Sequence, residues 1–109
     1  MIDWNDFEKV EMRVGTVVEV DDFPNAKKPA YKLTIDFGEL GIKRSSAQIS
    51  RLYTKDELLN RQIIAVTNFP PKQIANFFSE CLVLGIVRNE GEVVLLSVDQ
   101  KTTNGSRVS

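Results

Sequence analysis

The side chains that could carry chemistry in this sequence are lysines, arginines and carboxylates, because histidine is absent and cysteine occurs once. Without an imidazole there is no Ser-His-Asp or Cys-His pair, no histidine general base and no histidine-containing zinc site. The acidic pairs at 21–22 and 56–57 are adjacent loop or helix-start residues, where carboxylates are usually solvated or interact with a helix dipole. We therefore expect a binding protein, not an enzyme, with no metal site and no cofactor.

The single cysteine, Cys81, lies in the apolar segment 80–84, which indicates a small core residue, because a reactive thiolate needs a nearby cation and some exposure. One cysteine cannot form an intrachain disulfide, which is typical of reduced cytoplasmic proteins. The segment 1–6 is acidic where a secretory signal is basic, and the longest apolar run, 82–87, is only strand-sized. We expect a cytoplasmic protein without membrane insertion.

Charge is segregated along the chain, although the formal net charge is −1. Residues 1–22 carry seven acids and two bases, residues 23–79 nine bases and four acids, and residues 80–109 four acids and three bases. In the middle segment the bases are interleaved with aromatic residues, as in grooves that bind phosphates and stacked bases. These residues are Lys27, Lys28, Lys32, Lys43, Arg44, Arg51, Lys55, Arg61 and Lys72, with Tyr31, Tyr53, Phe69, Phe77 and Phe78. The simpler alternative is a set of solvated surface lysines.

Hydrophobic periodicity predicts that strands position most of these groups. Six segments have strand periodicity or β-branched composition: 12–20, 31–37, 42–49, 62–67, 81–87 and 92–98. In the first, alternate residues from Met12 to Val20 share one face, and Gly15 indicates a bulge or a sharp bend. The two prolines of 68–71 must leave the sheet, because proline donates no ladder hydrogen bond. The last two segments predict a hairpin around residues 88–91.

Two short helices are predicted beside these strands. Residues 3–10 begin with the N-cap type Asp3 and place Trp4 and Phe7 at helical spacing on one apolar face. The segment 54–57 has the Thr-x-x-Glu pattern of a capping box and predicts a second helix between the third and fourth strands.

The length of 109 residues and the strand count together limit the fold class. A chain of this length supports one domain, 1–109, with one core. A single, mostly antiparallel sheet of five or six strands must curl or close to bury its face and cover its edges. The small Greek-key barrel called the OB-fold has this order of elements, an all-β fold with short helices. A β-sandwich is the alternative and would require more strands and no helix in the middle.

Several motifs in order resemble the tRNA-binding domain family over essentially the whole chain. They are Arg13-Val14-Gly15-Thr16-Val17, Asn25-Ala26-Lys27-Lys28, Asn68-Phe69-Pro70-Pro71-Lys72 and Phe78-Ser79-Glu80-Cys81-Leu82-Val83-Leu84. Within the family, the segments 45–49 and 68–71 most resemble a stand-alone bacterial branch regarded as a protein-export chaperone. The chain departs from many tRNA-binding members in reading Ser-Glu-Cys-Leu where they read Ser-Glu-Gly-Met, and in lacking an aspartate beside Lys27-Lys28.

The resemblance implies a five-stranded OB-fold barrel with an N-terminal helix and a C-terminal hairpin extension, working as a homodimer. Trp4 and Phe7 of the first helix, with Val93 and Leu95 of the last hairpin, are the expected dimer contacts, since excess apolar surface suits a two-fold interface. The alternative is that these residues close the ends of the barrel.

The family's tRNA-contacting positions correspond to polar residues in the middle of this chain. They are Lys32, Lys43, Arg44, Ser45, Ser46, Asn68, Lys72, Ser79 and Glu80. Phe69, Phe77 and Phe78 at the same groove suit an apolar peptide side chain as well as a base. Two ligands are therefore expected from the sequence: an unfolded or export-bound polypeptide, or tRNA. Loop capping is the alternative role of Asn68, Ser79 and Glu80.

Overall fold

The computed structural model describes residues 1–89 and 91–109; residue 90, in the predicted turn of the last hairpin, lies outside the described residues. The described residues form two helices, α1 (Trp4–Glu8) and α2 (Lys55–Leu58), and nine strands. The strands are β1 (Met12–Asp22), β2 (Tyr31–Asp36), β3 (Ile42–Ala47), β4 (Gln62–Val66), β5 (Lys72–Ile74), β6 (Phe77–Ser79), β7 (Leu82–Val83), β8 (Gly85–Val87) and β9 (Val93–Leu95).

Five of the strands form an antiparallel sheet in the order β3-β2-β1-β4-β7, which curls into a nearly closed barrel. β1 belongs to both halves of it: Met12 to Thr16 pair with β4, and Thr16 to Asp22 pair with β2. A long bent strand shared in this way closes a small barrel without a sixth strand. The prediction of an OB-fold is confirmed.

Alternate residues of the strands fill the barrel interior. On β2, Tyr31, Leu33 and Ile35 point inward between half-buried polar residues, as their period of two predicts. The inner side chains of β1, β3, β4 and the helix α2 meet them, and Leu33, Ile35 and Leu58 are fully buried. The buried thiol of Cys81 belongs to the same core, as predicted, and burial raises its pKa to about 11.

The irregularity in β1 is not where the sequence predicted it. The pairing with β2 shifts between Val17 and Glu19, whereas Gly15 pairs regularly with β4. The shift changes which face each residue occupies, so Val17 is fully buried and Val18 is 42% exposed. The predicted shared face of Met12 to Val20 is therefore wrong from the bulge onward. Gly15 is required for another reason: a Cβ there would lie 2.6 Å from Ile35 and 2.7 Å from the Phe37 ring.

Both predicted helices are present, and both have capping boxes. In α1 the Asp3 side chain accepts a hydrogen bond from the backbone of Asp6, whose carboxylate accepts one from Asp3 in return. Thr54 and Glu57 make the same reciprocal pair at the start of α2. The first helix ends at Glu8, short of the predicted residue 10. Within residues 1–89 and 91–109, no helix has the length and apolar composition needed to cross a membrane.

The chain after β4 differs most from the prediction. A short hairpin, β5–β6, was not predicted, because its three-residue strands carry no clear alternation. The predicted strand 81–87 is divided: β7 pairs with β4 in the barrel, whereas β8 pairs with β9 in a separate hairpin. The division falls at Leu84, whose amide donates to the Ile64 carbonyl and whose carbonyl accepts from the Leu96 amide.

The C-terminal segment lies along the edge of β1 that β2 leaves free. The amide of Val14 donates to the carbonyl of Ser106 at 2.9 Å, and Gly105 donates back to Val14 at 2.7 Å. The Val108 amide bonds to the Met12 carbonyl, and the Arg107 guanidinium donates to the Glu8 carbonyl at the end of α1. The segment therefore covers a strand edge and ties α1 to the barrel.

Candidate ligand-binding face

The outward side chains of β1, β2 and β3 form the candidate face, which we call the outer face. The register places them in two rows across the three strands: Glu19, Thr34 and Arg44 in one, and Asp21, Lys32 and Ser46 in the other. The residues between them, such as Leu33, are in the core. Strands 2 and 3 of an OB barrel and the loops beside them are the surface that this fold uses to bind oligonucleotides.

Two connecting segments pack together at one end of this face. Phe23 and Ala30, at the two ends of the β1–β2 loop, are buried against Phe77 of the β5–β6 hairpin, and we call these three residues the aromatic cluster. The rings of Phe23 and Phe77 meet edge to face, with their centroids 5.4 Å apart. Neither segment is a strand of the barrel sheet, and this cluster holds the two segments against each other. Phe77, expected at the groove surface, is thus only 5% exposed.

The two cations of the outer face lie against this cluster. The Lys32 ammonium is 5.4 Å from the centroid of Phe23 and 5.9 Å from that of Phe77. The Arg44 guanidinium is 4.7 Å from the centroid of Phe77. Such contacts hold a cation at a defined place while its outer surface stays in water. The arrangement offers two positioned positive charges to an anionic ligand.

The serine and glutamate residues of the predicted site join β3 to the segment that follows β6. The backbone of Arg44 donates to the Glu80 carboxylate at 2.9 Å, and the Glu80 amide donates to the Arg44 carbonyl. The Ser46 amide donates to the Ser79 hydroxyl at 3.2 Å. Ser45 is 1% exposed, and its hydroxyl donates to the Cys81 carbonyl. Ser45 therefore lies beneath the surface, where it positions this segment.

A groove of about 450 Å³ opens beside that segment, and we call it the proline groove. It is lined by Phe69, Pro70, Pro71, Lys72, Ser79, Cys81 and Leu82. Phe69 is 54% exposed and Leu82 is 50% exposed, so two large apolar side chains face water at its rim. Proline leaves no amide to be satisfied there, which suits an apolar ligand. Phe78 is also exposed, at 55%, on the β5–β6 hairpin.

Other residues of the predicted site and of the basic segment 23–79 make contacts elsewhere in the structure. The Asn68 side chain accepts from the Glu11 amide at 3.0 Å and donates to the Lys9 carbonyl at 2.7 Å, so it holds the chain between α1 and β1. Lys43 is half-buried on β3, with the inward parity of Ser45. Outside the predicted site, Lys55 forms an ion pair of 2.8 Å with Asp22.

The four residues predicted for the dimer contact do not share one environment. Trp4 is 84% exposed and Phe7 is half-buried, and together they border two open clefts of about 470 and 650 Å³ beside α1. Val93 is half-buried against the barrel core, and Leu95 is inside that core at 8% exposure. Of these four residues, Trp4 on α1 is thus the one that is strongly exposed.

Sequence reasoning did not identify Leu82 as a residue of the groove or Glu19 and Asp21 as residues of the outer face. The acids were assigned to a separate acidic segment, and only the antiparallel register of β1 with β2 brings them beside Lys32. Among the described residues, no group of three His, Cys, Asp or Glu side chains has the arrangement of a metal site.

Residues 12–107 match the family model described as "Putative tRNA binding domain". The chain belongs to the tRNA-binding domain family. Methionine–tRNA ligases of Thermococcus onnurineus and Methanocaldococcus jannaschii are 34% and 35% identical to it over 108 and 107 residues, or 98% of this chain. The chain spans only 14% and 16% of the length of those two relatives. The family is a non-catalytic one that also occurs as a domain of an enzyme.

Solved structures of this family match the chain along its whole length. The chaperone CsaA from Bacillus anthracis str. Ames is 49% identical, with a TM-score of 0.96 over 100% of this chain and 99% of that one. The CsaA chaperone protein from Picrophilus torridus is 55% identical, with a TM-score of 0.93 and full coverage of both chains. A MetRS related protein from Pyrococcus horikoshii is 28% identical, with a TM-score of 0.87 over 100% of this chain and 98% of that one.

Proposed function

We propose that this member of the tRNA-binding domain family is a non-catalytic, cytoplasmic chaperone, a single domain of residues 1–109 that acts as a homodimer. It binds unfolded or export-bound polypeptides through the proline groove. The observation that carries the proposal is the exposure of Phe69 and Leu82 at the rim of a groove of about 450 Å³. The likeness to two structures titled as CsaA chaperones supports it.

The groove has the chemistry that an extended polypeptide requires. Its walls are apolar, while Lys72 and Ser79 at one side supply polar groups for a peptide backbone. Burial of one large apolar side chain contributes about 1.5–3 kcal/mol, which suits weak, sequence-tolerant binding of many chains. Phe78 adds an exposed apolar side chain on the β5–β6 hairpin, and Lys32, Arg44 and Ser46 of the outer face complete the proposed site.

The double variant Phe69→Ser/Leu82→Ser is expected to weaken binding of an unfolded model polypeptide by about 10- to 100-fold, because two apolar contacts are lost. Fluorescence anisotropy of a labelled unfolded chain measures this, and light scattering measures suppression of its aggregation. Leu59→Ser is the matched control, since Leu59 is 45% exposed and lies outside the groove. Equal activity of the double variant and the control would exclude the groove as the binding site.

Binding of tRNA is the alternative function, supported by the family model and by the cations of the outer face. The phosphates would be contacted by Lys32, Arg44 and Lys72. Each such contact releases about one counterion, so each makes the affinity for tRNA fall more steeply as the salt concentration rises. Titration of tRNA at two salt concentrations tests this, with alanine variants of those three residues. Displacement of a bound fluorescent peptide by tRNA asks whether one surface serves both ligands.

Trp4→Ala is expected to shift the protein from dimer to monomer, because Trp4 is 84% exposed on α1 beside two open clefts. An indole buried at an interface is among the most frequent energetic hot spots. Sedimentation velocity at several concentrations measures the change. Leu40, although also exposed, lines neither cleft, and Leu40→Gln is the matched control. A wild-type protein that sediments as a monomer would contradict the dimer.

A further inference from the structure

The fold brings acids and bases that are far apart in the sequence onto one surface. On the outer face, Asp21 of β1 pairs with Lys32 of β2, and Glu19 lies in the same row as Arg44 of β3. The surface that carries the two positioned cations therefore also carries two carboxylates. The sequence predicts a basic face, but these four residues together carry no net charge.

We propose that Glu19 and Asp21 determine the ligand specificity of the outer face by lowering its affinity for polyanions. The face then favours a polypeptide over RNA, although its cations are placed as for phosphate binding. This inference rests on the proposed function, because it concerns the choice between the two ligands of that same site.

The geometry of the rows gives the carboxylates their effect. Neighbouring strands lie about 4.8 Å apart, and residues two apart on one strand are separated by about 7 Å. Arg44 is two strands, or about 10 Å, from Glu19, but a phosphate that contacts Lys32 lies at about one Debye length or less, about 8 Å at physiological salt, from both acids. Its repulsion by Glu19 and Asp21 is only partly screened and offsets the attraction of the two cations.

The charges of the two acids are not neutralised by the cations beside them. Among the described residues, no carboxylate oxygen lies within 4.0 Å of the side-chain nitrogens of Lys32 or Arg44, which lie against aromatic rings instead. Glu19 and Asp21 are close enough to share a hydrogen bond, and this contact raises the pKa of Glu19, against a smaller opposing pull from Arg44.

The double variant Glu19→Gln/Asp21→Asn is expected to bind bulk tRNA about three- to tenfold more tightly than the wild type at low salt. Glu39→Gln/Asp56→Asn is the matched control, because it removes the same net charge from exposed acids outside the outer face. Filter binding or anisotropy gives the affinities. Equal tRNA affinity of the variant and the control, including no detectable binding by either, would overturn the inference.

The pH dependence of binding gives a second readout. Protonation of Glu19 removes a negative charge, so wild-type affinity for tRNA should rise as the pH falls from about 7 to about 5, and the Glu19→Gln/Asp21→Asn variant should show a smaller rise. The groups facing Glu19 are Asp21 on its own strand, and Lys32 and Arg44 on β2 and β3; on α2, Lys55 pairs with Asp22. With no histidine in the chain, carboxylates dominate this range. Parallel slopes in the two proteins would contradict the assignment.

Peptide binding measured in parallel separates this inference from the proposed function. If the wild type binds no unfolded polypeptide but the variant gains tRNA affinity, the chaperone proposal fails and the role of the two acids stands. If peptide binding is present and tRNA affinity does not change, the chaperone proposal stands and the role of the acids fails.

Discussion

Phe77→Ala is expected to lower the free energy of unfolding by about 3–5 kcal/mol and to detach the β1–β2 loop from the β5–β6 hairpin beside the outer face. The Phe77 ring is 5% exposed and packs on Phe23 at 5.4 Å, so its loss leaves a cavity in the aromatic cluster. The expected loss is a large share of the 5–15 kcal/mol typical of a domain. Lys32 and Arg44 would also lose the ring that positions them. Urea denaturation followed by far-UV circular dichroism measures the change.

The neighbouring residue is the control for this variant. Phe78 is 55% exposed on the same hairpin, so Phe78→Ala should change stability by less than about 1 kcal/mol. It should nevertheless weaken polypeptide binding, since an exposed ring is available to a ligand. A Phe77→Ala variant as stable as Phe78→Ala would show that the aromatic cluster does not support the two segments. Hydrogen exchange in the β1–β2 loop would report the detachment directly.

Gly15→Ala is expected to destabilise the barrel by about 3 kcal/mol, although it adds a single methyl group. That methyl would lie 2.6 Å from a carbon of Ile35 and 2.7 Å from the Phe37 ring. Both neighbours are fully buried, so neither can move aside without displacing the rest of the core. The expected result is a lower urea midpoint with an unchanged slope, because the same surface is exposed on unfolding.

Gly41→Ala separates this steric effect from the backbone preference of glycine. Gly41 has a φ of 91° and a ψ of −173°, a region used almost only by glycine, and nothing within 4 Å of the position of a Cβ, so its replacement costs only backbone strain, about 1–3 kcal/mol. If Gly15→Ala is no more destabilising than Gly41→Ala, then β1 and β2 can separate enough to accept a side chain at this position.

The parts of the fold that the sequence predicted are those in which a local pattern controls the result. The alternation of Tyr31, Leu33 and Ile35 predicted β2 to within a residue, and the capping pattern at 54–57 predicted the start of α2. The bulge at Val18 and the division of 81–87 depend on which distant strand each residue pairs with. Pairing of that kind leaves no period in the sequence, so it was not predicted.

In the candidate site, the sequence predicted which cations lie together better than it predicted the burial and the neighbours of each residue. Lys32 and Arg44 do lie together at one surface, because they belong to paired strands. The burial of Phe77 was not predicted, since it results from a hairpin whose short strands show no clear signal, and Ser45 is buried because it occupies an inward position on β3 opposite Leu33. Glu19 and Asp21 were assigned to a separate acidic segment, because the sequence gives only their order along the chain. The register of the paired strands determines which charges are neighbours.

The C-terminal segment along β1 has a consequence for how this protein is made. The amide of Val14 finds its partner only at Ser106, so that edge of the barrel stays open until synthesis has passed residue 108. An unpaired strand edge on an incomplete chain can pair with other chains and aggregate. Contacts of such long sequence separation also slow folding. A chain proposed to protect other unfolded polypeptides is therefore itself exposed to aggregation until the segment 105–108 has been added.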